Sequence, residues 1–75
     1  MVTVKKLGAG IWKREDGKDY YGAGYAVVNA QEQITVKAIT RTSTNGKVFN
    51  GTQANVFPLK STAILERNEK NRNES

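Results

Sequence analysis

Basic residues that lie close to aromatic ones along predicted strands are the part of this chain best suited to chemistry. Lys37 and Arg41 project from one face of a predicted strand, and Lys47 follows the next turn. Cations spaced along a strand can neutralise successive phosphates of a nucleic acid, and nearby aromatic rings can stack on unpaired bases. The candidate nucleic-acid-binding residues are Lys37, Arg41, Lys47, Lys5, Lys13, Arg14 and Tyr20.

The same residues also have a purely structural interpretation. Lysine and arginine on the wet face of a sheet keep a protein soluble and block pairing between sheet edges. Tyr20 and Tyr21 point to opposite faces of their strand, so one of the two is expected to face solvent. Tyr20, Tyr21, Trp12 and Phe49 are the rings that could stack on a base. For Trp12, Tyr25, Phe49 and Phe57 we expect core packing rather than stacking.

Catalysis is not expected from this composition. The chain has no histidine and no cysteine, which removes the usual proton-transfer group, the thiol nucleophile and the commonest metal ligands. Glu15, Asp16 and Asp19 crowd one charged turn, where we expect exposure and ordinary pKa values. We therefore predict a protein that is not an enzyme, with no catalytic residue, no metal site and no cofactor.

The length of 75 residues allows one domain with a thin core. Without cysteine no disulfide can stabilise it, so association between copies is the remaining common way to bury more surface. A homodimer or a higher oligomer is therefore predicted.

The charge of the chain indicates the class of partner. Twelve Lys and Arg residues against seven Asp and Glu give a net charge of +5. An excess of this size favours polyanions, although it also serves solubility alone. The predicted partner is nucleic acid or an acidic protein surface.

Neither a secretion signal nor a membrane span is expected. Met1 to Lys6 lacks an apolar segment, and an uncharged stretch such as Tyr20 to Gln31 is too short and polar to cross a bilayer. We predict a cytoplasmic protein with no membrane partner.

Short runs with a period of two predict a mainly β fold: a small antiparallel sheet or partly open barrel of about five strands, with α+β as an open alternative. Turns are predicted at Asp16-Gly17, Asn45-Gly46 and Asn50-Gly51. Gly22 and Gly24 leave a groove on one strand. We expect Trp12 or an aromatic residue from a neighbouring strand to cover it, with an open ligand groove as the alternative. The predicted strands are Val2 to Leu7 with Ile11-Trp12, Tyr20 to Val28, Gln33 to Thr42, Lys47 to Phe49 and Ala54 to Leu59.

The C-terminal part of the chain changes character after Leu65. Ser61 or Thr62 can cap a short helix that includes Ala63. Residues 66–75 contain only charged residues, amides and one serine. We therefore predict a single β-rich domain over 1–65 and, over 66–75, a disordered tail, with a frayed helix end as the alternative.

The order of these patterns resembles the stage V sporulation protein G, or septation-regulator, family of short bacterial nucleic-acid-binding proteins. The segments that carry the resemblance are Val2 to Leu7, Asp16-Gly17, Ala26 to Val28 with Ile34 to Ile39, Asn45 to Phe49, and Val56 to Leu59. The resemblance implies a dimeric nucleic-acid binder. The chain departs from the family at Asn50 to Gln53, where the family has a Pro-Ser-Lys stretch, and in a closing helix that is poorer in apolar residues. The family's dimer and DNA contacts are therefore not transferred to residues of this chain.

Three functions follow as hypotheses. The first is binding of single- or double-stranded nucleic acid with little sequence preference, through counterion release and a few aromatic stacks. The second is a protein-interaction module of the phage or mobile-element type that inhibits or redirects a host protein. The third is an assembly subunit that pairs with its copies through sheet edges.

Overall fold

The computed structural model describes residues 1–74, and the chain folds there into short antiparallel sheets and one C-terminal helix. The predicted mainly β class is confirmed, and the sheets do not close into a barrel. The elements in this range are β1 (Thr3–Leu7), β2 (Ile11–Lys13), β3 (Asp19–Tyr21), β4 (Gly24–Val28), β5 (Val36–Thr42), β6 (Val48–Ala54), β7 (Val56–Phe57) and α1 (Lys60–Glu74).

The core lies on a three-stranded antiparallel sheet in the order β1-β4-β7. One face of the sheet presents Leu7, Ala26 and Val28, which pack with Ile34. The hairpin of β2 and β3 covers this cluster with the side chains of Trp12 and Tyr20. Because β4 is the central strand, Ala26 and Val27 are both fully buried although they point to opposite faces.

The helix α1 packs against β1, β4 and β7. The structure corrects the predicted tail, since residues 66–74 continue the helix, while Ser75 lies outside the described residues. The Asn71 side chain accepts a hydrogen bond from the Val2 backbone N–H (2.9 Å) and donates one to the Val2 carbonyl (3.2 Å). A polar contact thus anchors the last turns, which an apolar pattern could not reveal. No helix within residues 1–74 is long and apolar enough to cross a membrane.

The predicted single strand from Tyr20 to Val28 is wrong, because the chain breaks into β3 and β4 at its glycines. Gly24 has a φ of +134°, and a Cβ there would lie 2.8 Å from the Phe57 carbonyl oxygen. The Tyr20 ring covers Gly22. The groove expected at these glycines is therefore filled within the protein, by Tyr20 and by the β7 backbone.

A long hairpin of β5 and β6 is the largest departure from the predicted strands. The Asn45-Gly46 turn is confirmed, with Gly46 at a φ of +83°. The predicted Asn50-Gly51 turn is wrong, since both residues lie inside β6 and Gly51 pairs with Ile39. One seven-residue strand thus spans what the sequence divides between a strand, a turn and the start of a second strand.

A buried polar junction joins this hairpin to the sheet. The Thr35 backbone N–H and hydroxyl both donate to the Val27 carbonyl, at 2.9 and 3.1 Å. The Asn55 backbone N–H donates to the Thr35 carbonyl (2.9 Å), and its side-chain amide donates to the Thr35 hydroxyl (2.7 Å). Thr35 and Asn55 are buried and flank the two strands of the hairpin, so they fix its base.

We expect Thr35→Val to lower the free energy of unfolding by about 1–3 kcal/mol, because it leaves the buried Asn55 amide without its acceptor. Thr40→Val removes a similar hydroxyl, which donates to Asn50 on the exposed part of the hairpin, and should change stability by less than about 0.5 kcal/mol. Urea unfolding of both variants measures the difference. Equal midpoints for Thr35→Val and the unmodified chain would contradict the role of the junction.

Candidate functional site

The hairpin of residues 36–54, called here the arm, contacts the core at its base through Ala54 and extends away from it. Its two strands each have seven residues, which corresponds to about 24 Å of extended chain. Eleven consecutive residues, 40–50, are all exposed, and they include side chains from both faces of the ribbon. The distal half of the arm is therefore open to a partner from either side.

The two faces of the arm differ in chemistry, because side chains alternate along each strand. The cationic face carries Lys37, Ile39 and Arg41 from β5, opposite Gln53, Gly51 and Phe49 from β6. The threonine face consists of Val36, Ala38, Thr40 and Thr42 opposite Ala54, Thr52, Asn50 and Val48.

Two cations at the distal end of the arm lie outside every ion pair found among the side chains of residues 1–73. Arg41 sits directly across from Phe49, and Lys47 ends the connecting loop. Neither side chain has a carboxylate partner there. Both cations are therefore available to an external anion.

Charge is unevenly distributed along the sequence. Residues 33–65 contain four cations and no carboxylate, whereas the rest of the chain contains eight cations and seven carboxylates. Four of the five net positive charges thus belong to a segment that includes the whole arm. The electrostatic field around the arm is positive because this segment has no Asp or Glu, and not because it is unusually rich in Lys and Arg.

The tip of the arm is held by a compact loop. The Ser43 N–H donates to the Lys47 carbonyl (2.9 Å), and the Gly46 N–H donates to the Ser43 carbonyl (3.0 Å). The Asn45 side-chain oxygen accepts hydrogen bonds from the Lys47 N–H (3.3 Å) and the Ser43 hydroxyl. Only Gly46 in this loop has a positive φ, the pattern of a three-residue hairpin loop with a glycine bulge.

The other predicted site residues lie off the distal arm, and their cations are paired. Lys37, at the arm's base, is 3.9 Å from Glu66 of α1. Lys5 is 3.0 Å from Glu32 and lies over the Trp12 ring at 5.2 Å. Lys13 is 3.9 Å from Asp19 in the β2–β3 hairpin.

Tyr20 packs against the core, and the tyrosine that faces solvent is Tyr21, which is 70% exposed. The expectation that one of the two faces solvent is confirmed, but the candidate residue Tyr20 is the buried one of the pair.

Arg14 braces the arm. Its guanidinium donates to the Asp16 carboxylate (2.8 Å) and to the Thr52 hydroxyl of β6 (3.1 Å). The Thr52 hydroxyl in turn donates to the same Asp16 oxygen (3.1 Å). The Arg14 side chain is only 18% exposed, so this triangle ties the β2–β3 turn to the threonine face and leaves the cationic face free.

Phe49 is the residue whose position the sequence interpretation predicted wrongly, although it named this ring among those that could stack on a base. Expected in the core, it is 63% exposed and shares the cationic face with Arg41. Treating Asn50-Gly51 as a turn ended the strand at Phe49 and hid this pairing. A strand continued through Gly51 would have placed the ring beside the guanidinium.

The expectation of ordinary pKa values in the charged turn is wrong for Asp16. The Lys18 backbone N–H, which donates to this carboxylate at 3.0 Å, is the largest cause that lowers its pKa below the ordinary value of 3.8. Partial burial opposes this effect, and the Thr52 hydroxyl and the charges of Arg14 and Lys18 add to it. No group of three or more metal-ligating side chains occurs within residues 1–74.

We expect Asp16→Asn to be less stable than the unmodified chain at neutral pH, with the difference shrinking in acid. A lowered pKa in the folded state means that the charged form contributes stability above pH 3.8, and this contribution is lost as the pH falls through the folded-state pKa. Urea unfolding of both proteins between pH 7 and pH 2 measures the difference. A difference that stays constant over this range would contradict the assignment.

Comparison with known proteins gives no relative from which a function could be transferred. No family model, no curated protein and no solved structure matches the chain. The similarity to the septation-regulator family therefore stays a prediction, and function must be argued from the geometry of the arm.

Proposed function

We propose that this protein binds nucleic acid through the cationic face of the arm. The observation that carries the proposal is the combination of Arg41 and Lys47, which form no ion pair with residues 1–73, on an exposed ribbon whose segment has no carboxylate. Phosphates approaching such a surface meet no compensating negative charge. The arm thus offers a polyanion a stronger attraction than the body, where acids are paired with most of the bases.

The mechanism is release of the counterions condensed on the nucleic acid. Each phosphate neutralised by Arg41, Lys47 or Lys37 contributes a slope of about −0.7 to −0.9 to the dependence of log affinity on log salt. Lys37 can contact a phosphate with little loss of stability, because its ion pair with Glu66 is long, at 3.9 Å, and partly exposed. Three contacts predict binding that weakens clearly with salt and discriminates little between sequences.

The resemblance to the septation-regulator family supports this proposal and extends it to a dimer. Two arms on one dimer would act at a high effective concentration and raise the overall affinity well above that of one arm. We propose a binding role rather than catalysis, because a chain without histidine and cysteine lacks the side chains that most often carry proton transfer and nucleophilic attack.

An acidic protein surface is the second candidate for the same face. The observation in its favour is that Phe49, the cross-strand partner of Arg41, is 63% exposed, and apolar side chains beside arginine are typical of protein interfaces. In that case the partner would be a single protein bound in a fixed ratio, as expected for a module that redirects a host protein.

We expect the double variant Arg41→Gln and Lys47→Gln to bind a mixed-sequence oligonucleotide at least about tenfold more weakly at low salt, with a salt slope shallower by about 1.4 to 1.8. The matched control is Lys13→Gln with Lys18→Gln, which removes the same charge at the other hairpin and should lower affinity less than about threefold. Fluorescence anisotropy between 20 and 200 mM salt measures both.

Equal losses in the two double variants would show that only net charge matters and would contradict the arm as the site. Absence of salt-dependent binding by the unmodified chain would refute nucleic-acid binding altogether and favour the protein partner.

A further inference from the structure

We infer that Phe49 is a stacking platform for an unpaired base and that the arm prefers single-stranded to duplex nucleic acid. This inference rests on the proposed function and names its ligand class. It starts from the orientation of one exposed ring.

The Phe49 ring lies along the strand. Its Cε1, Cζ and Cδ1 atoms would be 3.1, 3.6 and 3.9 Å from a Cβ placed on Gly51. Gly51 is two residues further along β6 and therefore on the same face. Side chains on strands ordinarily stand away from the sheet, but this ring folds down over the glycine and has one side open to solvent, which accounts for its 63% exposure.

Gly51 makes this orientation possible. Its φ is not positive, so the backbone does not require glycine there. Any larger residue would occupy the space where the ring now lies. Glycine at this position therefore makes room for the Phe49 ring and is not needed for the backbone conformation.

A structural explanation competes with this one. An aromatic ring can cover a glycine in a strand simply to shield the backbone and add packing. Under that explanation, a β-branched residue at position 51 would restore strand propensity and make the covering ring unnecessary. Under the stacking explanation, the same substitution would lift the ring and weaken binding.

The neighbour of the ring fits a nucleotide. Arg41 is the direct cross-strand partner of Phe49, which places their Cβ atoms about 5 Å apart. A base stacked on the open side of the ring would hold its phosphate within reach of the guanidinium. Lys37 lies four residues from Arg41 on the same face, about 13 Å along β5, where the strand of nucleotides can continue.

An unpaired base is favoured over a duplex by the chemistry of phenylalanine. In a duplex each base is covered on both sides by its neighbours and offers only its edge in the grooves. Edges are recognised by hydrogen-bonding groups, which phenylalanine lacks. The exposed side of a ring is of use to a base whose own face is free.

The test measures affinities for a single strand of about 15 nucleotides, a site of the size such modules cover, and for the duplex of the same sequence. Phe49→Leu should weaken single-strand binding at least about fivefold, the lower end expected for one lost stack. Gly51→Thr should weaken it similarly without lowering the melting temperature. Val48→Ala, which removes an equally exposed apolar side chain from the threonine face, is the matched control and should bind within about twofold of the unmodified chain.

A tryptophan at the platform reports on stacking directly. Phe49→Trp should retain single-strand affinity, and its fluorescence should be quenched by the single strand more than that of the unmodified chain, whose one tryptophan is Trp12.

The outcomes separate this inference from the proposed function. Single-strand binding that depends on Arg41 and Lys47 but is unchanged by Phe49→Leu and Gly51→Thr overturns the platform and leaves the proposed function standing. Tighter binding of the duplex than of the single strand, with no effect of Phe49→Leu, also overturns the platform and leaves the proposed function standing. Absence of binding to either nucleic acid overturns both.

Discussion

The buried junction of Val27, Thr35 and Asn55 is the interaction on which the rest of the structure depends. Thr35 and Asn55 are the two buried polar residues found between residues 1 and 73, and their hydrogen bonds join the central strand β4 to both ends of the arm. In a core this thin, an unpaired buried amide would be a large loss of stability. The junction therefore fixes where the chain leaves the sheet and where it returns, and the distal half of the arm between these points lies outside the core.

The body of the protein, outside the arm, and the arm itself differ in charge and in how they are stabilised. The body contains all seven carboxylates of the chain and pairs most of its cations with them, as at Lys5 with Glu32 and Arg14 with Asp16. The arm gains little from core burial and is held by its own ladder, its base and the Arg14 brace. A two-stranded ribbon is marginal by itself, so the arm depends on its base and on the Arg14 contacts for its stability.

Sequence patterns predicted the parts of the fold that local residues determine. The alternation from Gln33 to Thr42 and the Asn45-Gly46 turn located β5 and the tip of the arm, and Arg41 and Lys47 with it. Three features were not predicted: the break at Gly22–Ala23, the helix beyond Leu65 and the strand through Asn50-Gly51. Gly24 approaches the Phe57 backbone, Asn71 binds Val2, and Gly51 lies under a ring. The first two contacts join residues that are remote in sequence. In the third, a glycine makes room for a ring and does not form a turn.

A comparison of the two hairpin loops shows that the backbone geometry of the arm does not require the absence of a carboxylate there. Residues 14–18 and 43–47 share one hydrogen-bond pattern: the first N–H donates to the last carbonyl, and the glycine N–H donates to the first carbonyl. In both loops the residue before the glycine accepts from the N–H of the final lysine, through Asp16 in one and Asn45 in the other. An aspartate would serve the arm's turn equally well. With asparagine at position 45, the same geometry is built without a carboxylate beside Lys47. The backbone alone gives no reason for the difference between the loops; under the proposed function, this difference leaves the field beside Lys47 positive for an approaching anion.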